Sequence, residues 1–337
     1  FYIKKKKLLL EELVFKNKSK TNVDLENIKN ILLEINTSPA ADSSFYGFCD
    51  VYLNELQQKG KQSSYLGYKT AVDQLKKYRT ELLFSQLDYN LLNGFKNWRL
   101  QEGNTKSTVH TYLRKFRAIY NESVRRKFTT DEKPFNGVFN DITVKANRTK
   151  KRHITKKAIK KLEKLQLDAM HHQRAVDLFL LLFYFGGQDL KDVYYLKHSQ
   201  INNNRVYFMR GKLAGTGYQF DLPIVPKAQK IIDKYKVNGE YVFPWRKDFE
   251  GYKYFRDNLR RSFDVAQKKK KIKVKPLGGK IRIKVARHTF ATIAKSLFID
   301  TDLLRELMGH ERNDVDTIYK DKYPEKTRDE AHLKIIC

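Results

Sequence analysis

The chain has 337 residues, enough for two domains and an appendage, and its 41% apolar and 13% aromatic content can build sizeable cores, which excludes a disordered tail. Its 68 lysines and arginines against 38 acidic residues leave a formal net charge of +30, more than solubility asks for, and self-repulsion of that size opposes compaction unless a polyanion offsets it. Nucleic acid is the expected partner: the mark of a membrane surface is one basic amphipathic helix, whereas here the basic residues run through the whole chain.

The longest apolar run, LFLLLFYF at 178–185, is bounded by Asp177 and Gly186 and falls short of the roughly 20 residues a spanning helix needs, so a soluble protein with no membrane partner is expected. Cys49 and Cys337 form no spaced pair, and Cys49 falls on an apolar helical stripe, as a small core residue in a reduced compartment would. No signal peptide is visible, although the chain opens on Phe rather than Met.

In chain order, residues 1–42 read as an N-terminal appendage, in which the run Lys4–Lys7 fits either a solvated tail or an arm-type DNA-binding segment. From 43 the period becomes helical: Phe45, Phe48, Cys49, Tyr52, Leu53 and Leu56 recur at i, i+3, i+4, i+7, i+8 and i+11. Further helices are predicted in YLGYKTAVDQLKKY, in DYNLLNGFKNWRL behind an Asp88 cap, and in TKSTVHTYLRKFRAIYNESVRRKF, making a helical domain over 43–135. On the last of these Val109, Leu113, Phe116 and Tyr120 form the apolar face, while Lys106, Arg114, Arg117 and Arg125 populate the remainder, either solvated or facing phosphates. Residues 136–154 lack helical period and carry Lys145, Arg148, Lys150, Lys151 and Arg152, as expected of a basic linker lying on a phosphate backbone.

A second domain is predicted over 155–337. Thr155 caps TKKAIKKLEKLQL, a buried helix AVDLFLLLFYF follows, and the pair Gly186–Gly187 ends it, with Asp189 as the next cap. RVYFMRGKLAGTGYQFDLPIV alternates and turns through glycines as a β-hairpin does, carrying Arg210 and Lys212 near its tip. The rest is helical, apart from the basic loop KKKKIKVKPLGGKIRIK at 268–284, in which Lys269 and Lys271 are candidate phosphate contacts. There is no internal repeat, P-loop, GxGxxG, CxxC pair or HExxH, so neither a cofactor nor a metal is expected.

Two motifs carry the chemistry. ARHTFAT at 286–292 sets Arg287 at a helix start, where free backbone N–H groups help to hold a phosphate, and MGH is followed by Tyr319 nine residues after His310. Taken alone, each fits a salt bridge, a helix stop or a packing residue. Together with the Lys212 hairpin they resemble the tyrosine recombinase, or phage integrase, family, in a style most like integrases of Bacteroidetes mobile elements.

The resemblance implies a mainly α fold with a small β-hairpin or sheet in the catalytic domain (α+β), in a two-domain architecture that clamps DNA. Residues 43–135 would be the SAM-like core-binding domain and 155–337 the catalytic domain. It implies a site-specific recombinase in which Tyr319 attacks the scissile phosphate to form a 3′-phosphotyrosyl bond. Arg287 would clamp a non-bridging oxygen, His310 would bind the phosphate and position the tyrosine, and Lys212 would protonate the departing 5′ oxygen. The chemistry stands on its own logic: a covalent intermediate conserves the phosphodiester energy, and arginine and lysine supply the positive field without a metal.

Two positions depart from the family pattern. Lys284 stands where a histidine is usual, and Gln188 stands at the place of the first arginine, for which Lys191 or Arg174 are the nearby substitutes. Tyr323, four residues beyond Tyr319, is the competing nucleophile, and the interval from His310 selects Tyr319. The resemblance further implies double-stranded DNA as substrate, a homotetramer on two sites, DEAHLKIIC as a segment exchanged with a neighbour, accessory DNA-bending or directionality proteins, and a cytoplasmic, nucleoid-associated location. The alternatives are a type IB topoisomerase and a recombinase-derived DNA-binding protein with weakened catalysis.

Overall fold

The computed structural model describes residues 43–142, 152–209, 219–276, 279–310 and 321–337. The chain divides into two compact units, Phe1–Arg148 and Thr149–Cys337.

The described part of the first unit is helical. Ser44 accepts from Gly47 N to start α1 (Phe45–Gln58), and α2 spans Gln62–Tyr78. Asp88 accepts from Leu91 N to cap α3 (Tyr89–Gln101), and Thr105 accepts from Thr108 N to cap α4 (Lys106–Arg125). Each cap satisfies one of the N–H groups that a helix start leaves without a partner. Phe45, Leu75, Phe95, Leu113 and Phe116 are fully buried between the four helices. Residues 136–142, expected in the linker, belong to this core instead. Val138 and Ile142 are fully buried, and the buried Lys96 reaches across to Val138 O at 3.4 Å and Asp141 at 3.0 Å. Apolar side chains at 135, 138 and 142 (Phe, Val, Ile) outweigh the polar ones between them, so the first unit runs further than its helical period suggests.

The second unit is built around α6 (Met170–Tyr184), whose residues from Ala175 to Tyr184 are all buried. Burying a Leu or Phe is worth about 1.5–3 kcal/mol, so a helix apolar on every side belongs at the centre of a core. Its one buried charge, Asp177, is satisfied by Gln173 Nε2, Lys234 Nζ and Tyr235 Oη, all at 2.7 Å. Around it pack α5 (Lys156–Glu163), α8 (Pro226–Tyr235), α9 (Phe249–Lys268) and α10 (Val285–Ser296). The short α7 (Leu190–Tyr194) packs on α9. Ile154, also expected in the linker, is buried here, and its N–H donates to Thr289 Oγ1 on α10 at 3.1 Å.

The strands β1 (Ile201–Asn202), β2 (Arg205–Met209) and β3 (Gln219–Pro223) form an antiparallel sheet in that order, with Met209 opposite Gln219 at the last β2–β3 pair. Helices α11 (Thr301–Leu307) and α12 (Glu325–Ile336) pack against β3 and α10. The mainly α fold with a small sheet is therefore the α+β class expected. DEAHLKIIC forms the latter part of α12 and its end, and in the single chain it packs into its own unit, with His332 and Ile335 fully buried. Among the described residues no helix is long and apolar enough to cross a membrane.

Candidate functional site

Phe185 caps the end of helix α6, and Gly186 and Gly187 follow at φ +67° and +73°. This left-handed turn favours glycine on two counts, because contact adds to conformation. A Cβ on Gly187 would stand 2.6 Å from Arg287 Cα, and one on Gly186 would stand 2.5 Å from Leu307 O. The glycine pair thus lets the end of α6 lie directly against the first turn of α10 and the end of α11.

Arg287 is the third residue of α10 and is half-buried. Its Nη1 donates to Gly187 O at 2.8 Å, its Nη2 donates to Met308 O at 3.1 Å, and Nη2 lies 2.5 Å from His310 Nε2. A guanidinium can only donate, so in this contact the imidazole nitrogen accepts. Two backbone carbonyls and a histidine therefore fix the plane of the cation before any ligand arrives. Gly309, at φ +61°, brings His310 to this place: a Cβ there would meet the Phe220 ring on β3 at 2.3 Å. The Gly-His pair is consequently wedged against the β2–β3 hairpin, and the structure brings together Arg287, His310 and the root of that hairpin. Tyr319, Lys212 and Arg210 lie outside the described residues.

Positive charge gathers at the start of α10. Lys284 caps α10 and is exposed, as is Arg152. Burial, and then the charges of Arg152, Arg287, Lys284 and His153, hold the His288 imidazole below its ordinary value. The hydrogen bond from Ile154 to α10 is what draws Arg152 into this neighbourhood, a contact between residues 135 positions apart that the linear sequence gave no sign of.

Gln188 faces inward. It is 3% exposed, its Nε2 points to Leu307 O at 3.5 Å, and its Oε1 is buried with no hydrogen-bond partner among the described residues. In this arrangement the amide does not reach solvent, where a phosphate would lie. Of the substitutes weighed for it, Lys191 on α7 is exposed. Arg174 sits in the first half of α6, ten residues and so about 15 Å of helix before its end. There it lines a cavity of about 390 Å³ with His171, His172, Tyr254 and Arg261. Lys269 and Lys271 lie toward this same end of α6, where their charges reach His172, and Lys271 pairs with Asp168 at 3.5 Å.

Tyr323 is anchored elsewhere. Its hydroxyl donates to Asp300 Oδ1 at 3.1 Å, and that hydrogen bond, with burial, raises its pKa. Asp300 caps the start of α11 while His310 follows its end, so the seven residues of that helix, about 10 Å, separate the Tyr323 hydroxyl's anchor from the histidine.

In the first unit Lys106, His110, Arg114 and Arg117 follow one another at i, i+4, i+8 and i+11 along α4. Lys106, Arg114 and Arg117 are exposed, and none has a carboxylate partner among the described residues. The His110 ring and the Arg117 guanidinium both lie over Phe139, at 5.3 and 4.7 Å, and burial, then Arg114 and Arg117, lowers the His110 pKa. Arg125, in the last turn of α4, is held by Glu122. Lys145, Arg148, Lys150 and Lys151 are outside the described residues.

Comparison with known proteins follows the same division. Residues 44–142 match the family model of the phage integrase SAM-like domain. The whole fold is similar to a lambda integrase dimer bound to a COC′ core site, at 15% identity and a TM-score of 0.57 over 84% of this chain and all of that one. It is likewise similar to a lambda integrase tetramer bound to a Holliday junction, at 15% identity and a TM-score of 0.54 over 93% and 88% of the two chains. The Tn1549 transposon integrase in complex with transposon right end DNA matches at 14% identity and a TM-score of 0.59, over 83% and 96%. No curated protein matches. The chain therefore has the tyrosine recombinase fold, and its residues 44–142 are similar to the SAM-like domain of phage integrases.

Proposed function

We propose that this protein is a site-specific tyrosine recombinase that integrates, excises or inverts a mobile element, of the kind carried by Bacteroidetes. The observation that carries the reading is the Arg287–His310 contact at 2.5 Å, with the guanidinium held by the carbonyls of Gly187 and Met308. Such a fixed cation costs no reorganisation when charge develops on a phosphate. Tyr319 Oη bonds to phosphorus as the bond to the 5′ oxygen breaks. Its phenolic proton passes to solvent, and Lys212 supplies a proton to the departing oxygen. Arg287, His310 and Lys284 bind the non-bridging oxygens, with Arg152 and Lys191 adding positive field where the first arginine is lacking. The engagement of Tyr323 by Asp300 supports Tyr319 as nucleophile.

DNA enters against the α4 stripe Lys106–Arg114–Arg117 and the basic segment containing Lys145, Arg148, Lys150, Lys151 and Arg152, with Lys269 and Lys271 as outlying contacts. By analogy with the similar integrases, seen as a dimer and as a tetramer on DNA, the working form is a tetramer on two duplexes, served by accessory DNA-bending or directionality proteins in the cytoplasm.

The burial of Gln188 favours a second reading, a DNA-binding protein of recombinase descent with little catalysis. A nicked suicide duplex made from the DNA flanking the gene separates the two, because only a catalyst accumulates covalent protein–DNA adduct. Strand exchange between two sites, rather than supercoil relaxation alone, separates a recombinase from a type IB topoisomerase.

A further inference from the structure

Asp221 on β3 is held by two arginines from different elements. Arg205, the first residue of β2 and only 8% exposed, donates through Nε to Asp221 Oδ2 at 2.6 Å. Arg328 on α12 donates through Nη1 to Asp221 Oδ1 at 2.8 Å. Arg205 also forms a bidentate pair with Asp329 of α12, at 2.6 and 2.9 Å, and lies 3.3 Å from Glu325. Arg328 Nε reaches Tyr323 O at 3.2 Å, and Lys322 Nζ reaches Gln219 O at 2.8 Å. Strand β3 and the start of α12 are thus joined by hydrogen bonds that tolerate little change in geometry.

Such a network is a poor device for stability alone. Removing two charges from water offsets most of their attraction, and apolar packing would serve as well, whereas paired arginine forks fix relative position closely. Its place in the chain gives it a use. Lys212 lies three residues past Met209, the end of β2, and Tyr319 lies four residues before Tyr323, whose carbonyl Arg328 holds. The network therefore stands at the root of both segments. In phosphoryl transfer the attacking and leaving oxygens stand roughly in line, so nucleophile and acid must be set relative to each other, and a misplacement of about 1 Å can cost on the order of 10²-fold.

We infer that Asp221, with Arg205 and Arg328, is a positioning clamp that sets the segment bearing the acid Lys212 against the segment bearing the nucleophile Tyr319. This rests on the strand-transfer reading above. None of the three touches the phosphate; each acts by holding the two roots together.

The test is single-turnover adduct formation by the full chain on saturating nicked duplex, alongside DNA affinity and thermal unfolding. Asp221→Asn, which keeps shape and loses charge, should slow adduct formation by about 10–100-fold while affinity stays within about twofold, a split between rate and binding that a loss of folded protein does not produce. The double variant with Arg328→Gln should be no slower than the worse single variant, because both break one linkage. Should Asp221→Asn fold poorly, Arg328→Lys, which keeps the charge and loses the fork, should show the same split. An active wild type with a variant rate within about twofold of it, or single losses that multiply in the double, overturns the clamp and leaves the recombinase reading intact. A wild type that binds DNA and forms no adduct overturns both.

Discussion

Replacing Gln188 by methionine keeps the length of the side chain and removes its polar end. Oε1 is buried without a partner among the described residues, and an unsatisfied acceptor costs about 1–3 kcal/mol. The hydrogen bond lost in exchange, from Nε2 to Leu307 O at 3.5 Å, is at the limit of useful length and returns little. Gln188→Met should therefore stabilise the second unit by about 1 kcal/mol, which for a unit of this size raises Tm by about 2–4 °C. Because the amide is turned away from solvent, the single-turnover cleavage rate should stay within about threefold of wild type. Gln188→Arg should behave oppositely: an arginine at a position 3% exposed is overpacked by about 1–3 kcal/mol and buries a charge, lowering Tm without raising the rate. Calorimetry and cleavage of a nicked duplex read both variants. A loss of 10²–10³ in rate for Gln188→Met, about the size of a lost transition-state donor, would falsify the inward placement, since the amide would then be touching the phosphate.

Lys212→Ala should cripple cleavage of ordinary DNA and be largely rescued by a 5′-bridging phosphorothiolate, whose sulfur leaves without a proton; equal loss on both substrates would make Lys212 a structural residue. The charge of +30 predicts a steep salt dependence, with about 6–10 neutralised phosphates costing roughly 10³–10⁵ in affinity between 50 and 200 mM salt. Alanine at Lys106, Arg114 and Arg117 should each flatten that slope by about 0.9, and an unchanged slope would mean that α4 faces away from DNA. His332 is buried neutral, with its pKa pushed down to about 4 by burial. A folded-state value below the unfolded one, about 6.5, means that the stabilisation is complete above the unfolded value and lost as pH falls toward 4, by roughly 3 kcal/mol in all. His332→Leu should remove most of that slope in thermal unfolding of the DNA-free protein, leaving the smaller contributions of His110, His172 and His288, which are shifted the same way. A slope unaltered by the substitution would assign the acid lability elsewhere.

Signals in the sequence are legible where the physics is local. The period of α1 and the caps at Asp88 and Thr155 lie within a few residues of the helices they start, and the glycine pair after α6 stops its helix wherever the chain goes next. Pairings across the fold were not legible. Nothing in MGH says that Gly309 must be bare because Phe220, 89 positions earlier, fills its place. Arg174 and Lys191 are both candidate substitutes for Gln188 by charge and neighbourhood in sequence, yet the rise of α6 carries Arg174 to the far end of the core. The direction of the Gln188 side chain depends on the left-handed turn before it and on the end of α11 above it, and so is a property of two distant segments. The same holds for Arg205, an unremarked strand residue whose partners are 16 and 124 positions away.

The claim that most of the account stands on is the attack of Tyr319 on phosphorus. Wild-type protein, Tyr319→Phe and Tyr323→Phe should be incubated with the same nicked suicide duplex, and the covalent adduct resolved under denaturing conditions and mapped by peptide mass. The account predicts adduct on Tyr319 in the wild type, adduct retained in Tyr323→Phe, and none in Tyr319→Phe, which should still bind DNA with nearly full affinity. Adduct that persists in Tyr319→Phe, or that maps to Tyr323, contradicts it.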